Sequence, residues 1–121
     1  MTNLEKISKL NSIWYYDIIS GSECGCKDRD CHFYITQTFS YGDKVSYAVA
    51  HHGYINHHYQ ETEWDSYEEC QLELIKLLKY SILEEVNWYL EHYGDPDWDQ
   101  HKYNKEQLED IKRKVLEIAP D

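Results

Sequence analysis

Ser66-Tyr67-Glu68-Glu69-Cys70-Gln71-Leu72-Glu73-Leu74 is the stretch on which the fold turns. Ser66 is suited to the N-cap of a helix and Glu69 stands at its third position, the pattern of a capping box. From there Cys70, Leu74, Leu77, Leu78, Ile82, Val86 and Tyr89 repeat at helical spacing and form one apolar stripe. Leu72, Ile75, Leu83 and Leu90 widen that stripe, which predicts a central helix touching both a sheet and another helix. The helix should run to about Tyr93 and stop at Gly94, with Pro96 just beyond.

A sheet is expected on the N-terminal side. Phe33, Ile35 and Phe39 follow a two-residue rhythm, Tyr41-Gly42-Asp43-Lys44 is a turn, and Val45, Tyr47 and Val49 alternate again. Residues 54–64, after Gly53, read as a third strand. Leu4, Ile7, Leu10 or Asn11, Trp14 and Ile18 fit a helix ending near Ile19, although residues 13–19 are rich in strand-forming side chains. At the other end Asn104 and Gln107 mark an N-cap, and Leu108, Ile111, Val115 and Ile118 make a one-sided helix. The expected fold is α+β and a single domain, residues 1–121: an N-terminal helix and a three-stranded antiparallel β-meander packed against a long central helix and a C-terminal helix.

The join from Glu61 through Trp64, Asp65 and Ser66 to Cys70 resembles a unit of small phage-encoded orphan proteins, in which a hairpin leads through a Ser-Tyr-Glu-Glu-like start into one amphipathic helix. The resemblance spans about residues 32–93. It implies a mobile-element origin and no particular activity.

The 121 residues carry 23 acidic and 12 basic side chains, a net charge of −11. A surface of that sign repels phosphate backbones and anionic bilayers, so neither nucleic acid nor a membrane is an expected direct partner. The charge is uneven. Residues 45–101 hold 12 acidic side chains against Lys76 and Lys79, a net of −10, while the flanking thirds are close to neutral. Within that third Glu61, Glu63 and Asp65 alternate, placing carboxylates on one face about 6–7 Å apart, comparable with successive phosphates along a nucleic-acid strand. Glu68 and Glu69 extend the patch, and Asp95, Asp97 and Asp99 form a second run around Trp98. Acids at a helix start also satisfy the helix dipole, so part of this pattern has a purely structural explanation. Aromatic rings are abundant, with 12 Tyr, 4 Trp and 2 Phe, and Trp64, Tyr67 and Trp98 flank the acids. Such rings dominate interface energetics.

Cys24-Gly25-Cys26 and Cys31 precede His32 directly. Three thiols in eight residues, with His32 or alternatively Cys70 or a strand histidine as the fourth ligand, suit a closed tetrahedral zinc site that pins the loop. The C-x-C-x4-C spacing resembles the post-SET zinc motif of protein lysine methyltransferases, a resemblance that implies ligand geometry alone. Reduced thiols or a regulatory disulfide are the competing readings. His51-His52 and His57-His58 read as polar strand ends lining a turn.

No phosphate-cradling glycine loop, nucleophile elbow or HExxH motif occurs, so catalysis is not expected. With no basic, apolar leader at Met1 the protein is expected in the cytoplasm, in the host cell if phage-encoded. The reading that remains is stoichiometric association with a basic, nucleic-acid-binding protein through Glu61, Glu63, Trp64, Asp65, Tyr67, Glu68, Glu69, Asp95, Asp97, Trp98 and Asp99. The expected role is an inhibitor occupying the groove of a nuclease or host defence protein. Alternatives are a zinc-stabilised interaction module and an immunity protein for a basic toxin nuclease. The zinc reading predicts about one metal equivalent per chain in protein purified without added zinc. A content below about a tenth of an equivalent, by elemental analysis, removes it.

Overall fold

The computed structural model describes residues 1–19, 33–39, 44–51, 54–55, 63–94 and 103–120. Helix α1 (Asn3–Ser12) starts at Thr2, whose side chain accepts from the Glu5 amide at 3.1 Å. Instead of ending, the chain widens into a π-helical segment, Ile13–Ile19. Bulky side chains at nearly every position of this segment disfavour the tighter α-helical turn. Tyr103 fastens its end, donating its hydroxyl to the carbonyls of Asp17 and Ile18. The reading of one helix to about Ile19 thus holds in direction, with a change of pitch at Ile13. Leu4 leaves the expected stripe and is exposed, whereas Ile7, Leu10, Ile13 and Ile18 are buried.

Strands β1 (Phe33–Phe39) and β2 (Val45–His51) pair antiparallel, in register from Phe33 opposite His51 to Phe39 opposite Val45. Phe33 and Val49 enter the core, with Ile35 and Tyr47 packed against it. Val45, expected beside them, is exposed. Ser46, Ala48 and Ala50, on the opposite face of β2, are buried as well.

The expected three-stranded meander is corrected by the structure. The chain is α+β but mostly helical, and its sheet proper is the two-stranded β1–β2 hairpin. On the other edge of β2, the described residues pair only in short pieces: Tyr54 and Ile55 with His51 and Ala50, and Trp64 with Tyr47. The physical reason lies in the spacing of apolar residues. Tyr54, Ile55, Tyr59 and Trp64 are separated by one, four and five positions, with His57-His58 and a polar run between, so no continuous face repeats every second residue.

Helix α2 (Tyr67–Glu91) is the centrepiece, contacting α1, the π-helical segment, β1, β2 and α3 (Lys105–Ile118). Leu74, Leu78, Ile82 and Val86 are fully buried along it, each stabilising the fold by about 1.5–3 kcal/mol. Leu72, expected to widen this face, is instead 52% exposed. The helix stops at Glu91, and Gly94 just beyond adopts a φ of +85°, a left-handed value glycine takes without strain. Helix α3 begins with a complete capping box between Asn104 and Gln107 and buries the four apolar residues its sequence marks.

Asn11 joins the two layers. Its side-chain amide donates to the Phe33 carbonyl and its oxygen accepts from the Phe33 amide, both at 2.9 Å and both buried. Asn11→Ala would leave two backbone groups without partners and should lower unfolding free energy by roughly 2–4 kcal/mol. Urea denaturation checks this, and a loss below about 0.5 kcal/mol would remove the clamp role.

Candidate functional site

The described part of the acidic patch is the bend that connects this other edge of β2 to α2. Trp64 exchanges two backbone hydrogen bonds with Tyr47, at 2.8 and 2.9 Å, which fixes the bend against β2. The Trp64 side chain packs against the core, so its neighbours Glu63 and Asp65 are turned outward and both are exposed. Ser66 then caps α2, its hydroxyl accepting from the Glu69 amide at 3.3 Å. Only this half of the expected capping box forms: the Glu69 carboxylate does not return to the Ser66 amide among the described contacts, which leaves it free at the surface.

Tyr67, Glu68 and Glu69 are exposed in the first turn of α2. The Tyr67 ring leans on Tyr47, with centroids 5.2 Å apart and planes at 59°. The result is a short ridge in which the exposed Glu63 and Asp65 flank Trp64, and Glu68 and Glu69 follow Tyr67, whose ring rests on Tyr47 of β2. Asp65 makes an ion pair with Lys44 at 3.0 Å, with both side chains mostly in solvent. Exposed pairs of this kind contribute about 0–1 kcal/mol, so a stronger cation can displace Lys44. Among the described residues Glu63, Glu68 and Glu69 have no ion-pair partner.

Two acids on α3 behave differently. Asp110 receives hydrogen bonds from Arg113 and Lys114, which hold its carboxyl below the usual range, and Glu117 pairs with Arg113 at 2.8 Å. These two carboxylates are neutralised on their own helix, whereas Glu106 and Glu109 of α3, like Glu68 and Glu69 of α2, have no ion-pair partner among the described residues. Tyr47 and Lys44 are the members of the site that sequence reading missed. Tyr47 was assigned only to the strand's inward face, and nothing in a turn lysine signals a carboxylate 21 residues away.

Glu61 and the run Asp95, Asp97, Trp98 and Asp99 lie outside the described residues, as do Cys24, Cys26, Cys31 and His32. Among the described residues no group of three or more His, Cys, Asp or Glu side chains is arranged to hold a metal ion. Cys70, an alternative fourth ligand, is completely buried on the core side of α2. Burial, with the Glu73 carboxylate adding to it, pushes its thiol up to about 11. No helix among the described residues is long and apolar enough to cross a membrane.

Two consequences can be measured. Ser66→Ala should cost about 1 kcal/mol by removing the cap of α2, read by thermal or urea unfolding. The raised Cys70 pKa means that the unfolded chain releases this proton first as pH rises. Its contribution to stability is complete below about 9 and lost as pH climbs toward about 11. A Cys70→Ala variant should therefore show a flatter decline of stability across that interval, and identical slopes would contradict the assignment. No known protein-family model, curated protein or solved structure matches this chain.

Proposed function

We propose that the chain is a stoichiometric binding protein whose partner is a basic, nucleic-acid-binding protein. The ridge at the start of α2 meets the partner's cationic groove and competes with nucleic acid for it. One observation carries this reading: Glu63, Glu68 and Glu69 stand exposed close in sequence to Trp64 and Tyr67 with no ion-pair partner among the described residues, and with Asp65 they form a run of four acids that meets the single cation Lys44. Glu68 and Glu69 also complement the helix dipole, but Glu63 and Asp65 precede the helix and gain little from it.

In this reading charge and rings have separate tasks. Carboxylates accelerate encounter and discriminate against acidic competitors, an effect that falls as salt rises. Tyr67, 41% exposed and already braced by Tyr47, supplies contact area with little further loss of freedom. Occupying the groove of a nuclease or host defence enzyme would make the protein an inhibitor, in keeping with the phage-like hairpin-to-helix unit.

The test uses immobilised full-length chain exposed to lysate of its source cell. Basic proteins should be retained at low salt, released at high salt and eluted by duplex DNA. A variant carrying Glu63→Gln, Asp65→Asn, Glu68→Gln and Glu69→Gln should retain roughly tenfold less and show a shallower salt response. Equal retention by the variant, or retention indifferent to added duplex, would overturn the proposal.

A further inference from the structure

The two cations in the acid-rich middle third of the sequence do not serve the acidic ridge. Lys76 and Lys79 stand one turn apart on α2 and, with Lys6 of α1, line a cavity of about 260 Å³. Leu72, Ile75, Ala119 and Pro120 supply the rest of its wall. Like charges three residues apart on a helix repel, and a third cation adds to that repulsion. Lys79 is the unusual member, only 7% exposed. Its aliphatic stem accounts for that burial, while the ammonium reaches solvent at the cavity. Among the described residues none of these three ammonium groups has a hydrogen-bond or ion-pair partner.

We infer that Lys6, Lys76 and Lys79 form a binding site for a small phosphate-bearing ligand with an apolar body. Three lysines lining one cavity supply the charge that a dianion needs, and lysine presents that charge as a compact point suited to phosphate. Leu72 and Ile75, with Ala119 and Pro120 just past α3, offer a greasy wall for the remainder of the ligand. The volume lies below the roughly 300–1,000 Å³ of sites for drug-sized molecules, which limits the occupant to a small compound. Arrival of a dianion offsets the mutual repulsion of the lysines and gives Lys79 an anionic partner in place of water. This site is independent of the acidic ridge: it carries the opposite charge and engages a different class of ligand.

Calorimetric titration of the full chain at low ionic strength tests it with three probes: phenyl phosphate, inorganic phosphate and benzoate. Phenyl phosphate should bind one site per chain, about tenfold or more tighter than either of the others. Lys79→Met and Lys6→Met should each weaken it by about tenfold or more, and Lys114→Met, outside the cavity, should not. Methionine keeps the buried apolar stem and removes an ammonium that has no carboxylate partner among the described residues. The thermal midpoint of Lys79→Met should therefore stay at or above that of the parent, which separates lost binding from lost folding. If that variant nevertheless unfolds, Lys6→Met decides. No saturable binding of phenyl phosphate, unchanged affinity in the lysine variants, or equal affinity for benzoate or inorganic phosphate would overturn the inference.

Discussion

One buried amide holds the helical and sheet layers in a fixed relation. Asn11 pairs with the backbone of Phe33 as another strand would, giving it one donor and one acceptor. Twenty-two residues separate the two in sequence, so this contact closes a loop and sets the rotation of α1 about its own axis. With Asn11 turned to Phe33, Leu10 and Ile7 turn to the core, and Trp14 comes within 6.0 Å of the Phe33 ring. The β1–β2 register then fixes where Tyr47 lies, and Tyr47 fixes Trp64 and the start of α2. The exposed ridge is therefore placed by a chain of backbone pairings that starts at one asparagine.

How much of this was legible in the sequence depends on how local the cause was. The helices were, because caps and apolar periodicity are properties of neighbouring residues: Ser66 and Asn104 cap where they should, and the stripes of α2 and α3 are buried as their spacing requires. The third strand is not legible over 54–64, because the apolar residues there do not alternate and a break at Gly53 marks only where a strand could begin. Leu72 was misread for a related reason: an apolar residue beside a buried stripe need not be buried, and this one borders a cavity. The π-helical pitch and the Asn11 clamp were illegible, since both depend on what the chain meets far away. Of the acidic site, exposure of Glu63, Asp65, Glu68 and Glu69 agrees with the reading of their charge, whereas the role of Tyr47 emerges only from strand pairing.

The charge distribution acquires a different meaning once folded. Counting along the sequence, the middle third is acidic with two stray lysines. In space those lysines join a third from α1, while acids collect roughly 15 Å away at the start of the same helix, judging from the ten residues between Glu69 and Lys79. Helix α2 thus carries its two lysines between acids at either end, Glu68, Glu69 and Glu73 before them and Glu84, Glu85 and Glu91 after, and only the first-turn acids are favoured by the helix dipole.

The π-helical segment has a bearing on how this chain tolerates changes in its own length. Deleting one residue from an α-helix turns everything that follows by about 100°, which in α2 would swing the buried stripe into water. A segment wound with the wider i→i+5 spacing holds residues in reserve. Losing one between Ile13 and Ile19 would let the coil tighten toward α-helix while α1 stays put and Tyr103 still finds a carbonyl to grip. Length variation among natural variants should therefore gather at this coil and spare the helices on either side of the hairpin.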